Sequence, residues 1–307
     1  MATRLAEALR VLVKDIVSRP GGRCLLASGG ALLLSGLLHA GWAALAGATL
    51  EGPLSIRKPA LFGAATGVTL LSLAWVETVA RRRGASVAIM TSIAALLEVA
   101  LISIQYWRGV PSHFNLATPV DAVIAWSIEG CAGLLTLGVA LYTARSFVGP
   151  ITGATSRSMR LALRFGLLTL TLGCLFGVFM VAFGHYARAV GSAPGGFGDA
   201  GVLKFVHGTL LHNVQLLPLF VWALERQGLD PTRVTRLTWR ALAIASMFIL
   251  YTIVQTFSGA SRFEPTGAGE LIALATLGLG LELLVQVVNA LTSARSRTRR
   301  ERCRHVG

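Results

Sequence analysis

Eight runs of apolar residues alternate with short polar connections along most of the chain. They fall at about 24–46, 60–80, 84–106, 121–144, 161–184, 205–224, 241–258 and 270–291, each bounded by charge, Pro or Gly. A helix needs about 20 residues to cross a hydrocarbon core roughly 30 Å thick, so each run predicts a transmembrane helix. Ahead of them, residues 1–23 are basic and carry Leu5, Leu9, Leu12 and Ile16 at helical spacing. That spacing predicts an amphipathic helix lying on the membrane surface, ended by Pro20-Gly21-Gly22. Ala46-Gly47-Ala48 resembles a signal-peptide cleavage site, but the basic lead-in and the apolar run before it are both too long for one. The predicted plan is a basic amphipathic segment over 1–23, an eight-helix membrane domain over 24–291 and a basic tail over 292–307. The expected fold is all-α, a polytopic integral membrane helix bundle.

Basic residues give the bundle an orientation. Of the 28 Lys and Arg, 22 lie in the N-terminal segment, around Arg81-Arg82-Arg83, between Arg145 and Arg164, between Arg226 and Arg240, and from Arg295 onward. The opposite connections hold only Arg57, Lys58, Arg108, Arg188, Lys204 and Arg262. Positive charge near span ends favours the cytoplasmic side, so both termini are expected there, in a bacterial cytoplasmic membrane. Trp42, Trp107 and Trp126 fall toward the outer span ends and Trp75, Trp222 and Trp239 toward the inner ones, as an aromatic belt would have them.

Composition agrees: 54% of residues are hydrophobic and 14% charged, far from the roughly one-quarter charged share of soluble domains. The net charge of +14 would suggest nucleic acid in a soluble protein. Here it is spread over every cytoplasmic connection, which suits orientation and attraction to anionic lipids, and no specific nucleic-acid partner is expected. Cys24 and Cys303 are expected in the cytoplasm and Cys131 and Cys174 inside spans, so no disulfide pair is predicted. Gly63 and Gly67, and Gly166, Gly173, Gly177 and Gly184, put small residues on single helix faces and predict close backbone packing. No Walker loop, dinucleotide fingerprint, zinc spacing or internal repeat is present.

Ionisable groups at membrane depth are costly and mark functional sites. His39, Glu98, Glu129, His212 and Asn213 all fall in the outer half or near the middle of their spans, and His113, His185 and His207 lie at or near the outer ends. Glu98 and Glu129 are expected to face the bundle interior, each other, a histidine or water. Arg108 and Asp121 have opposite charge and are expected to close the connection between the third and fourth spans, with Pro111 setting the turn and His113 and Asn115 pointing inward. His207 and His212, five residues apart, would be separated by about 140° on a straight helix, so neither shares a metal with the other. His212 and Gln215 would share a face, and Pro218 would kink the span below them.

Three stretches, Lys58-Pro59 with Phe62-Gly63, then Glu98 with Gln105, Arg108-Gly109 and Ser112-His113-Phe114-Asn115, then His207 with Leu211-His212, Gln215 and Leu217-Pro218-Leu219, resemble a family of uncharacterised bacterial multi-pass membrane proteins. The resemblance covers residues 55–220 and implies a common fold and an outer-side site. The chain departs from it ahead of the first histidine, where Asp199 and Lys204 are more widely spaced.

Function is left open among four classes. A carrier or receptor would bind a small molecule or ion at His39, Glu98, Arg108, His113, Asn115, Glu129, His207, His212 and Gln215, with Glu98 and Glu129 as proton or cation sites. A redox protein would hold haem or a metal through His39, His207 or His212. A membrane enzyme would act on a lipid or quinone, with a histidine as base and Arg57, Lys58 or Arg108 on an anionic head group. A structural or assembly protein would use the polar residues only to specify packing.

Overall fold

In the computed structural model, residues 2–48, 50–52, 54–79, 85–148, 155–192, 195–265 and 267–304 are described, with backbone only for 2–6, 8, 9 and 294–304. The Arg81-Arg82-Arg83 connection and His305 lie outside them. The helices are α1 (Ala2–Val17), α2 (Pro20–Ala46), α3 (Arg57–Val79), α4 (Ala85–Trp107), α5 (Pro119–Val148), α6 (Arg157–Ala189), α7 (Leu203–Leu211), α8 (Asn213–Arg226), α9 (Pro231–Phe257) and α10 (Ala268–Arg304). Seven of them, α2 to α6, α9 and the Ala268–Ser293 part of α10, are long and apolar enough to cross a membrane. The chain is an all-helical, multi-pass membrane protein in which, among the described residues, two short strands, β1 (Gly196–Phe197) and β2 (Gly201–Val202), pair as an antiparallel hairpin.

The chain forms two compact units, Met1–Gly153 with Gly177–Gly191, and Ala154–Phe176 with Ser192–Gly307. In the first, Pro20-Gly21-Gly22 does not merely end the amphipathic helix. Pro20 opens α2 at a position where its missing N–H costs nothing. A side chain on Gly22 would strike the Ile16 carbonyl, so only glycine lets α1 turn so sharply into α2. Arg19 secures that turn, pairing with Asp15 at 3.3 Å and donating to the Glu77 carbonyl on α3 at 2.5 Å.

Helices α2 and α3 meet through glycine. A Cβ on Gly63 would sit 2.8 Å from the Gly36 nitrogen, and one on Gly67 would sit 2.6 Å from the Leu33 nitrogen. This is the close approach predicted for Gly63 and Gly67. Helices α4 and α5 pack along a seam on which Ile102, Ile128 and Val139 are buried, and Thr91 seats on Gly138.

In the second unit, Gly166 and Gly173 of α6 admit the α7–α8 segment, a Cβ on Gly166 lying 2.6 Å from the Val214 Cα. The predicted sixth span is not one helix. It is divided at His212 into α7 of 9 residues and α8 of 14. Pro218 lies inside α8, six residues beyond the break, so the expected kink at the proline gives way to a break upstream of it. Asn213 donates to the Thr209 carbonyl at 3.2 Å, and the Gln215 amide, oriented to donate, reaches the Leu211 and His212 carbonyls at 3.1 and 2.9 Å. Side chains thus bond the Thr209 and Leu211 carbonyls at the break, while the His212 carbonyl also accepts from the Gln215 and Leu216 N–H groups.

Helix α9 begins at Pro231, about ten residues before the predicted span. Asp230 caps it by accepting from the Arg233 N–H at 3.1 Å. The β1–β2 hairpin rests on the far end of α9, where Ala200 N–H donates to the Gly259 carbonyl at 2.9 Å. Helix α10 continues into the basic tail, and Glu282, Arg240 and Gln286 tie its apolar part to α9 and to itself at 3.0 and 2.7 Å.

Candidate functional site

A buried polar cluster in the first unit forms where α4 passes into α5. Helix α4 stops at Trp107 because Gly109, at φ 70°, takes the left-handed conformation. The N–H groups of Gly109 and Val110 then turn back to the carbonyls of Tyr106 and Gln105 at 3.0 and 3.1 Å. Helix α5 starts at Pro119, with Thr118 and Asp121 bonded in both directions: the Asp121 N–H donates to Thr118 Oγ1 at 3.2 Å, and that hydroxyl donates to Asp121 Oδ2 at 2.8 Å. These two helix ends bring Arg108 Nη1 to 2.8 Å from Asp121 Oδ1. Gln105, fully buried, accepts from Arg108 and donates to Asp121 at 3.2 Å. The expected Arg108–Asp121 closure is present, with Gln105 as its third member.

The connection itself is pinned at two points. His113 hydrogen-bonds with Ser112 at 3.1 Å and packs on the Phe62 ring of α3, 5.9 Å between centroids. Phe114 has φ 61°, a left-handed conformation rare for an aromatic residue, which costs about 1–3 kcal/mol unless the surroundings impose it. Here they do. Its ring fills the space beside Gly184 of α6 and meets His185 edge-on at 4.9 Å. His185 Nε2 in turn donates to Glu129 Oε1 of α5 at 2.8 Å. Asn115 is occupied locally, accepting from the Ala117 N–H at 3.2 Å. Between Ser55, Lys58, Pro59, Tyr106 and Ser112 lies a hollow with room for about one water molecule.

Glu98 lies two turns below Gln105 on the same face of α4, about 10 Å along the axis. It is 5% exposed, and among the described residues it has no hydrogen-bond or ion-pair partner; Cys131 of α5 is within electrostatic reach. Glu98 and Glu129 therefore do not pair with each other, since Glu129 is held by His185. His39 is engaged at both ring nitrogens, Nδ1–H donating to the Ser35 carbonyl at 2.8 Å and Nε2 accepting from Trp107 Nε1–H at 3.2 Å. The bond to Trp107 joins α2 to α4.

The remaining candidates belong to the second unit. His207 Nδ1–H donates to the Gly173 carbonyl at 2.8 Å. His212 sits at the helix break with its side chain exposed, so the straight-helix angle between the two histidines does not apply. Gln215 turns to the backbone of the break. Among the described residues, no three His, Cys, Asp or Glu side chains are grouped to hold a metal ion.

Sequence reasoning missed Phe114 and the full role of His185. A histidine and a glutamate at matching depth on neighbouring spans were a usable signal for His185. No local pattern announces that a phenylalanine takes a left-handed backbone. It also missed Glu77 of α3 and Tyr142 of α5, both buried, with the Tyr142 hydroxyl donating to Glu77 Oε1 at 2.8 Å. No family model matches the chain, and neither a curated protein nor a solved structure matches it. What fold and site establish together is a multi-pass membrane protein whose first unit carries a buried, charged cluster at one end of its helices.

Proposed function

We propose that this chain is an eight-span protein of a bacterial cytoplasmic membrane that binds or transports a small molecule or ion through the polar cluster at the α4–α5 junction. Both termini are cytoplasmic in this reading. Helices α7 and α8, 9 and 14 residues long, together match one crossing of a core roughly 30 Å thick. They supply the even number of crossings that the basic residues demand. The α4–α5 junction then faces outward, and the basic cytoplasmic face attracts anionic lipid head groups, each Lys or Arg contributing about 1 kcal/mol near the surface.

One observation carries the reading: the Arg108–Asp121–Gln105 cluster, with Arg108 part-exposed at its mouth, stands over a buried carboxyl, Glu98, that no neighbour neutralises. Polar groups that only glue helices find partners across the interface. Glu98 has none among the described residues, as suits a group whose partner is a ligand. The fully engaged His39, and the use of His207 Nδ1 on a carbonyl, favour this over haem or metal ligation by those histidines.

The test is thermal unfolding of the purified protein against a panel of monovalent and divalent cations, small carboxylates and small amines. A ligand present at 100 times its Kd stabilises by about 2.7 kcal/mol, several degrees in Tm. The expected result is a compound that raises Tm for wild type and not for Glu98→Gln or Arg108→Gln. Equal responses in all three proteins would sink the proposal.

A further inference from the structure

We infer that Glu98 is a proton-binding site loaded and unloaded from the Ala85 end of α4, through Ser92 and the Glu77–Tyr142 pair. The inference rests on the reading above for its orientation, in which that end is cytoplasmic, and it names the proton as the ion.

Gln105, Glu98 and Thr91 follow one another at seven-residue intervals, two helical turns, and so form a single buried stripe on α4. Thr91 turns its hydroxyl to the Val87 carbonyl at 2.7 Å, as an isolated hydroxyl in a helix does. Ser92 does not: it is 1% exposed and its Oγ has no partner among the described residues. Below it, Glu77 is buried and its Oε1 accepts from Tyr142. A Cβ on Gly21 would lie 3.1 Å from the Ala88 Cβ and 3.5 Å from Glu77 Oε2, which puts the carboxylate beside Ala88 of α4. Arg145, with a buried and unpartnered Nη1, and Cys24 lie within electrostatic reach of Tyr142.

Along α4 the rise is about 9 Å from Glu98 to Ser92, which lies about 120° round the helix from it, and about 6 Å from Ser92 to Ala88. Neither is a direct hydrogen bond, so transfer across each requires a short chain of intervening water. In transfer, the Glu98 carboxyl gives its proton to that chain and becomes a carboxylate. The chain delivers a proton to Glu77, which passes it to water at the membrane surface, and return transfer reverses each step. No electrons move.

Glu98, the ionisable member of this stripe, has no fixed counter-charge among the described residues. Cys131 faces it from α5, α2 has no ionisable side chain between Cys24 and His39, and α3 has none between Lys58 and Glu77. A carboxyl so placed changes charge only by exchanging a proton or cation. The unpartnered hydroxyl and the carboxylate–phenol pair between it and the Ala85 end are proton-handling groups.

Dicyclohexylcarbodiimide reacts with protonated carboxyls in apolar surroundings, so it reads the protonation of Glu98 without any substrate. The full-length protein would be labelled in sealed right-side-out and inverted membrane vesicles with pH set separately on each side, and adducts assigned by peptide mass. Glu98 labelling is expected to fall about tenfold for each unit by which pH on the Ala85 side rises above the group's pKa. Glu98→Gln should lose the adduct. Ser92→Ala, which removes no hydrogen bond, and Tyr142→Phe should weaken the response to that side. Labelling that follows pH only on the opposite side, or on neither, would overturn the inference. A ligand-induced Tm shift sensitive to Glu98 and Arg108 would then still stand, so failure of the proton route and failure of the ligand site are told apart.

Discussion

Asp121 shows how much one residue gathers: it accepts from Arg108, Gln105 and Thr118 while its own N–H is held by Thr118. Asp121→Ala leaves the buried Gln105 amide N–H without its acceptor and Arg108 without its charge partner, whereas Arg108→Gln leaves Asp121 its two other donors. Leaving a buried polar group unpaired costs more than losing the bond itself. Asp121→Ala is therefore expected to lower Tm in detergent by several degrees, clearly more than Arg108→Gln; equal or reversed effects would contradict this cluster. Arg108 and Asp121 were legible in the sequence because opposite charges bracket a short loop. Phe114 was not, because its left-handed backbone is imposed by the space beside Gly184 on a helix 70 residues away.

The elements follow hydrophobic pattern for their existence and backbone chemistry for their ends. Glycine makes the sharpest contrast on α2. A Cβ on Gly36 would strike the Ala64 nitrogen, while one on Gly30 meets nothing within 4 Å. Gly36→Val should cost about 1–3 kcal/mol or prevent folding and Gly30→Val should be near neutral, compared by monodisperse yield on size exclusion. Both glycines lie in the same apolar run, whose pattern does not separate them. The α7–α8 break is a second case. Because Asn213 and Gln215 satisfy it from within, Pro218→Ala is expected to leave it in place. Hydrogen exchange over 211–216 should be unchanged; protection rising to that of a continuous helix would mean that the proline causes the break.

For the whole molecule, the testable quantity is topology. With α7 and α8 forming one crossing, reporters fused after Gly47 and after Asn115 should read outside, and one fused after Gly228 should read cytoplasmic, like the C terminus. A C terminus outside would mean that α7–α8 does not cross and that the number of crossings is the seven of the long helices.

Hydrophobic run length determined the class of this protein, because lipid leaves a chain of apolar 20-residue runs no alternative to helices that bond their own backbone. Charge asymmetry set the expected orientation for a similarly general reason. What the sequence could not contain was partnership. Polar side chains choose partners by distance and depth across helices, so only the tertiary structure decided that Glu129 belongs to His185 and His39 to Trp107. It also decided that Glu77 belongs to Tyr142, and that Glu98 is left without a partner among the described residues.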